Sequence, residues 1–196
     1  MKKTVHWASS NELFYTTPQS PTSSGSPGPS TPPPALPGAL SISESLRFKA
    51  SLGFTIDLSL EPREWSLDSS LSHQAATWPP MSQIDVVGSK LPLIIHIREP
   101  KEGMGLTVGD LLGRLYLALQ EKVSKEEMER DRTENREAIQ KAFEERCAKE
   151  LERSIPRSLK EKEAGVRRID FLRGRSVLAG FDVVPREVPT LRLHVR

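Results

Sequence analysis

The sequence predicts an α+β fold behind a disordered leader rich in serine and proline. Two observations support this class: alternating apolar and polar residues occur near both ends of residues 46–196, and two amphipathic helical patterns lie between them. We expect a mostly antiparallel sheet of about six strands with both helices packed on one face. The expected organisation is residues 1–45 as the leader and residues 46–196 as a single domain.

The leader differs in composition from the rest of the chain. Residues 1–45 contain eight of the sixteen prolines and ten serines, and the run PQSPTSSGSPGPSTPPPALPG has no apolar period. Such a segment buries too little apolar surface to offset the entropy lost on ordering it. We therefore predict disorder, with polyproline II character around residues 32–34.

Six segments have the features of β-strands. The run GFTIDLSLE and the run TLRLHVR both alternate apolar with polar residues, which is typical of half-buried strands. The stretch GVRRIDFLRGRSVLAGF (165–181) is interpreted as a β-hairpin around Arg173 and Gly174. The predicted strands are residues 54–60, 84–87, 91–98, 166–172, 176–182 and 190–196.

Two helices are predicted between the strands. Thr107 is a suitable N-cap for the first, with Asp110 completing a capping-box-like pair, and Ser124 with Glu127 forms a capping box at the start of the second. Pro156 is expected to end the second helix. Its core-facing stripe is predicted to contain Ile139, Phe143 and Cys147, with Ala142 and Leu151.

Composition and charge restrict the cellular setting. The net charge is +2, although residues 154–196 carry ten Lys/Arg against five Asp/Glu. The single cysteine, Cys147, cannot form an internal disulfide, which fits a reducing compartment. No apolar run approaches the ~20 residues of a membrane span. The expectation is a cytoplasmic or nuclear protein with no membrane contact.

Five motifs occur in a characteristic order. They are AATWPP (75–80), LPLIIHI (91–97), LTVGDLLGRLYLALQEKVSKEEM (106–128), AFEERC (142–147) and GVRRIDFLRGRSVLAGF. Together they resemble a domain family of unknown function that is abundant in mushroom-forming fungi. The resemblance covers residues 46–196 and implies a shared fold and a fungal source, but no activity. Leu93 departs from the pattern because the family usually has tryptophan there, so a site that uses the aromatic ring would be altered.

The sequence contains no recognisable enzyme motif, and we predict no catalytic, cofactor-binding or metal-binding residues. The four histidines lack the spacing of a metal site, and Cys147 lies on the apolar stripe of a helix. The run GMGLTVGD (103–110) lacks the lysine of a phosphate-binding loop.

A polar site on the sheet is the enzyme or small-ligand alternative. It would use residues such as Asp57, His96 and Asp170, because adjacent carboxylates and imidazoles can do acid–base chemistry. The competing interpretation of Asp170 is an outward-facing ion pair with Arg167, Arg168 or Arg175.

The favoured hypothesis is a non-enzymatic protein-interaction module with linear motifs in its leader. The run KKTVHW resembles the docking motif for type-1 serine/threonine phosphatases, with Lys3, Val5 and Trp7 at the motif positions. Four residues that precede proline resemble proline-directed phosphorylation sites. These are Thr17, Ser20, Ser26 and Thr31.

Polyanion binding is a further alternative. Arg173 and Arg175 flank the turn glycine of the predicted hairpin and are the residues we expect to contact a polyanion such as nucleic acid. Charge on a solvated loop is the favoured interpretation of the same two residues, because the neighbouring aromatic residues occupy core positions instead of stacking positions. Nucleic acid is therefore not the expected partner.

Overall fold

The computed structural model describes residues 40–49, 54–99, 103, 105–130 and 133–196. Within these residues, strands form a four-stranded sheet of order β4-β3-β6-β5 and a separate antiparallel pair, β1 and β2. The central strands β3 and β6 are parallel, whereas both outer pairs are antiparallel. The strands are β1 (Ser41–Ile42), β2 (Thr77–Trp78), β3 (Gln83–Gly88), β4 (Ile95–Arg98), β5 (Leu178–Val184) and β6 (Thr190–Val195).

Helices supply the second half of the architecture. The helix α2 packs against β4, and α4 packs mainly against α5 and the 3-10 helix at Arg168–Leu172, called here the 168–172 turn. The α+β class is confirmed, but the single six-stranded sheet with two helices on one face is wrong, because the strands divide between two sheets and α4 packs on helical neighbours. The described α-helices are α1 (Ser69–Ser72), α2 (Val108–Gln120), α3 (Lys125–Arg130), α4 (Thr133–Arg153) and α5 (Ile155–Ala164).

The start and the buried face of α2 agree with the sequence prediction. The Asp110 N–H donates to Thr107 Oγ1 at 3.1 Å, and the Thr107 N–H donates to the Asp110 carboxylate at 3.2 Å, which completes a capping box. Burial of a leucine side chain stabilises a fold by about 1.5–3 kcal/mol, so the apolar face of this helix is a main contributor to the core. Its fully buried residues are Val108, Leu111, Leu112, Leu115 and Leu119.

The helical segment that follows differs from its prediction at its end. Ser124 and Glu127 form the predicted capping box, with bonds of 3.0 and 3.1 Å. The helix α4 ends at Arg153, and Pro156 lies in the first turn of α5 instead of terminating the helical region. Ile139, Ala142 and Cys147 are buried as predicted, whereas Leu151 is exposed.

Polar side chains of α5 face the domain, while apolar ones face solvent. Ser158 is buried and its hydroxyl donates to the Cys147 carbonyl at 3.2 Å. Ile155 and Leu159, one helical turn apart, are 66% and 56% exposed. Because the contact with α4 uses polar groups, apolar periodicity could not predict this helix.

The predicted strand at residues 54–60 is reduced to a single bridge between Asp57 and Val177. Ile56 and Leu58 are buried on either side of half-buried Asp57, so the alternation correctly predicts which residues enter the core. The strand stops because the Asp57 carboxylate accepts hydrogen bonds from the backbone N–H and the hydroxyl of Ser59, which bends the chain.

The predicted hairpin at residues 166–182 is wrong in its first strand. Residues 168–172 form a 3-10 helix, because the Asp170 carboxylate accepts the Arg167 N–H at 2.8 Å and closes a local turn. Four consecutive buried residues, 169–172, also differ from the alternation of a strand. The second strand is confirmed as β5. The predicted residues 84–87 lie within β3, and the predicted ranges 91–98 and 190–196 contain β4 and β6.

Gly180 is required where β5 passes the segment at residues 47–48. Its φ of +122° lies in a region that L side chains rarely adopt, and a Cβ there would lie 2.7 Å from the backbone N and Cα of Phe48. We expect Gly180→Ala to lower the free energy of unfolding by about 2 kcal/mol or more, as measured by urea denaturation.

Gly113 provides the matched control for this substitution. It lies inside α2, and a Cβ there would meet no atom within 4 Å. Gly113→Ala should therefore stabilise the protein by about 0.5–1 kcal/mol, because alanine has the higher helix propensity. Equal effects of the two substitutions would contradict the geometry at Gly180.

Candidate functional site

A network of charged side chains centred on Arg146 joins the helical elements. Its Nε and Nη2 atoms each donate to Asp170 at 2.9 Å, and Nη2 also donates to the Gly165 carbonyl at 3.1 Å. Nη1 donates to Glu161 on α5. Asp170 is only 3% exposed, so this bidentate pair is held away from water. Asp170 is ion-paired, but the predicted outward-facing pair with Arg167, Arg168 or Arg175 is wrong, because the partner is Arg146 and the carboxylate faces inward.

The surroundings of Arg146 keep its guanidinium charged. Burial lowers the pKa of Arg146, but the hydrogen bonds and charge of Asp170, with the charge of Glu161, outweigh it and leave the pKa above its ordinary value. The two arginines that precede Asp170 are also paired. Arg167 donates to Glu161 at 2.9 Å and to Gln120 at 2.9 Å, and Arg168 pairs with Glu121 and Glu127.

An open cleft of about 290 Å³ adjoins this network. The lining contains four carboxylates against three cations, and one of those cations, Arg146, is also paired with Asp170 outside the lining. We call it the acidic cleft; its lining includes Glu61, Glu64, Tyr116, Glu150, Lys160 and Glu161.

The carboxylates of the cleft affect the pKa of Tyr116. Burial raises the pKa of its phenol, and the carboxylates of Glu61, Glu161 and Glu64 raise it further, while Arg167 lowers it. The net pKa is raised. Carboxylates that disfavour a phenolate favour a cation at the same place. Glu61 has one local partner, Arg63 at 2.7 Å, and this exposed pair contributes little.

Asp57 and Asp170 are held by separate partners. Burial raises the pKa of Asp57, yet hydrogen bonds from Ser176 and Ser59 outweigh it, and the net pKa is lowered. Ser59, Ser176 and Asp170 line a cavity of about 80 Å³ beside the acidic cleft. His96 does not join them, since it lies on β4 opposite Asp85.

Each of the two sheet histidines is paired with an aspartate. His96 Nδ1 lies 2.7 Å from Asp85 Oδ1, and His194 Nε2 lies 2.9 Å from Asp182 Oδ2. The register aligns His96 with Asp85 and Asp85 with Thr190, so the two histidines are separated by a strand and by four residues along β6. Within the described part of the chain, no group of three or more metal-ligating side chains comes together.

Cys147 and the glycine-containing run at residues 103–110, which the sequence analysis considered as possible sites, both have structural roles. Burial raises the pKa of the Cys147 thiol, as expected for a packed helical cysteine. In the glycine-containing loop, the N–H groups of Gly103 and Gly105 both donate to the Glu99 carboxylate at 2.7 Å. The protein's own carboxylate therefore takes donors that a bound anion would use.

Arg173 and Arg175, the other two arginines of the 165–181 motif, are not part of the network around Arg146. Arg173 has a left-handed backbone with φ of +56° and ends the 168–172 turn. Its Nε is a buried donor that has no hydrogen-bond partner among the described residues. Arg175 is exposed and lines a small pocket beside Lys90 and His194.

The remaining predictions from the sequence concern Leu93, the motifs of the leader and the absence of a membrane span. Leu93 precedes β4 and packs against the core, partly buried. Lys3, Val5 and Trp7, and the four candidate phosphorylation sites in the leader, lie outside the described residues. None of the helices in the described ranges has the length and apolar content needed to cross a bilayer.

Comparison with known proteins identifies a family but no activity. Residues 54–189 match the model of a family of unknown function, DUF6699. Comparisons with curated proteins and with solved structures gave no significant match.

The Arg146–Asp170 pair should make a large contribution to stability. In Arg146→Met the buried Asp170 carboxylate keeps, among the described residues, only the Arg167 N–H as a donor, and we expect the free energy of unfolding to fall by about 3–5 kcal/mol. Urea denaturation at neutral pH measures the change.

Lys141→Met is the matched control because it removes an exposed cation from the same helix. Lys141 pairs with Glu145 at 3.9 Å, and its loss should cost less than about 0.5 kcal/mol. A cost for Arg146→Met no larger than this would show that the buried pair does not stabilise the fold.

Proposed function

The chain belongs to the DUF6699 family of unknown function, and we propose that it is a non-enzymatic protein-interaction module whose acidic cleft binds a lysine- or arginine-rich segment of a partner protein. The observation that carries this proposal is the excess of carboxylates around an open cleft beside Tyr116. An ammonium or guanidinium group in the cleft would meet Glu61 and Glu64, and the Tyr116 ring offers a further favourable contact for a cation.

The carboxylates at the inner wall of the cleft are held in ion pairs. This favours binding of a partner segment as the function of the cleft and argues against acid–base catalysis there. Glu161 is shared between Arg146 and Arg167, and Asp170 is held by Arg146, so these carboxylates are fixed acceptors. Glu61 and Glu64 lie on the open side and are exposed. A site with a fixed inner wall and an accessible charged rim resembles an interaction surface, where rim charges guide the encounter and set specificity.

Exposed apolar side chains elsewhere support a role in protein contacts. Trp78 is 71% exposed, and Ile155 and Leu159 form an exposed apolar pair on α5. Aromatic and aliphatic side chains of this size are the usual anchors of protein interfaces.

Binding of a basic peptide tests the acidic cleft. We expect hexalysine to bind the full chain, measured by calorimetry at low salt, and Glu61→Gln/Glu64→Gln to weaken binding by about two- to tenfold. The affinity should also fall as salt is raised.

The matched control is Glu126→Gln/Glu129→Gln, which makes the same change in net charge on exposed residues of α3 outside the cleft. It should leave hexalysine binding nearly unchanged. Equal losses in the two double variants, or tighter binding of hexaglutamate than of hexalysine, would rule out the cleft as the binding site.

The leader supplies a separate part of the proposal. The KKTVHW motif would place Val5 and Trp7 in two apolar pockets of a type-1 phosphatase catalytic subunit, with Lys3 beside acidic residues of that partner. A fungal source and a cytoplasmic or nuclear location accompany this proposal as predictions from the sequence.

Pull-down from a lysate to which the purified phosphatase subunit has been added tests the motif. The full chain should retain the subunit, and Val5→Ala/Trp7→Ala should lose it because both apolar anchors are removed. Ser9→Ala/Ser10→Ala, in the same segment, should retain it. Retention by the Val5→Ala/Trp7→Ala variant would exclude this motif as the docking site.

A further inference from the structure

A small basic pocket lies at the carboxyl ends of the two parallel strands of the sheet. Gly88, the last residue of β3, is paired with Leu193 of β6, and the chain turns immediately afterwards through Ser89 and Lys90. The pocket has a volume of about 70 Å³. We call it the basic pocket; its lining includes Gly88, Ser89, Lys90, Leu172, Arg175 and His194.

The titratable side chains of this lining are all basic. Lys90, Arg175 and His194 converge on the pocket, whereas its other lining residues are Ser89, Gly88 and apolar side chains. Among the described residues, neither Lys90 nor Arg175 has a carboxylate within 4.0 Å. Arg146, Arg167 and Arg168 all have such partners, so the described ion pairs of the domain do not include Lys90 or Arg175.

His194 is held in a fixed position at the pocket. Its Nε2 lies 2.9 Å from Asp182, which is the nearest carboxylate and is not part of the lining. Its ring is stacked on Phe48, with centroids 3.9 Å apart and planes within 13°. A ring held on two sides loses little further freedom when a ligand binds beside it.

The size and the donors of the pocket suit a small anionic group. On the same measure a single water molecule needs roughly 10–15 Å³, so the pocket has room for a group of several heavy atoms. A tetrahedral phosphoryl group has this size, carries up to two negative charges and presents three oxygens to surrounding donors. Lysine, arginine and a serine hydroxyl are donors typical of phosphate sites.

From this geometry we infer that the basic pocket binds a phosphoryl group, with Lys90 and Arg175 as its charged donors and Ser89 and His194 beside them. The ligand is either free phosphate or a phosphate monoester on a protein side chain, since both present the same terminal group. Arg173 lies two residues from Arg175 and adds positive potential without lining the pocket.

Nuclear magnetic resonance of the isotope-labelled full chain tests this inference, with inorganic phosphate and O-phosphoserine as probes. Saturable shifts are expected at the amides of Ser89, Lys90, Arg175 and His194. Lys90→Ala and Arg175→Ala should each weaken binding by at least about tenfold, because each removes a charge-assisted hydrogen bond. Both residues are exposed, so we expect the variants to fold.

Lys162→Ala, which removes an exposed cation from α5, is the control and should leave the affinity unchanged. Binding of both probes would identify the phosphoryl group itself as the ligand. Binding of phosphoserine alone would identify a phosphorylated side chain as its source. Either result supports the site.

Three results would overturn the inference. The first is no saturable binding of either probe, and the second is binding that survives both alanine substitutions. The third is tighter binding of a single-stranded oligonucleotide without terminal phosphates, with shifts that extend to Arg173, because this would indicate a polyanion surface in place of a pocket for a terminal phosphoryl group.

Discussion

The helical half of the domain depends on one buried ion pair, that of Arg146 with Asp170. A charge transferred from water to an apolar interior is expensive unless it is paired and hydrogen-bonded, so the position of one partner dictates the position of the other. Arg146 lies on α4 and Asp170 in the 168–172 turn, and the same guanidinium reaches Glu161 on α5 and the carbonyl of Gly165. One planar group with several fixed donors thus sets the relative positions of three elements, which a lysine ammonium could not do in the same way.

The internal use of these charges determines which charges are left on the surface. Arg146, Arg167 and Arg168 are neutralised by carboxylates of the domain, although the sequence groups two of them with Arg173 and Arg175 in one basic motif. On the side of α5, the arginines are balanced and the remaining rim is acidic. At the ends of β3 and β6, Lys90 and Arg175 remain without carboxylate partners among the described residues. A chain with a net charge of only +2 therefore presents two sites of opposite sign.

Features encoded by neighbouring residues could be predicted from the sequence, and features encoded by distant residues could not. The capping boxes at Thr107 and Ser124 each involve residues three apart, and both form as predicted. The strand β6 follows from its alternation alone.

The sequence predicts a strand at the 168–172 turn because its arginines and apolar residues permit a β pattern. The local bond from the Arg167 N–H to Asp170 closes this turn, and the Asp170 carboxylate is held inside by a residue 24 positions earlier in the chain. Both members of that pair lie in motifs that carry the family resemblance, AFEERC and GVRRIDFLRGRSVLAGF, but nothing in either motif indicates that they meet. The acidic cleft could not be predicted for the same reason, since its walls come from residues 59–64, α2, α4 and α5.

The parallel pairing of β3 with β6 has a consequence for synthesis of the protein. Asp85 is aligned with Thr190, so the two inner strands of the sheet are separated by more than a hundred residues of chain. Closing so long a loop is entropically costly, and contacts of this range form slowly. On the ribosome, β3 leaves the exit tunnel well before β6, and it can pair only with β4 while α2, α4 and α5 emerge. At about 5–20 residues per second, one edge of β3 is left without its strand partner for several seconds. That interval is when the nascent chain is most open to pairing with a strand of another molecule, and when a chaperone would have most effect on its yield.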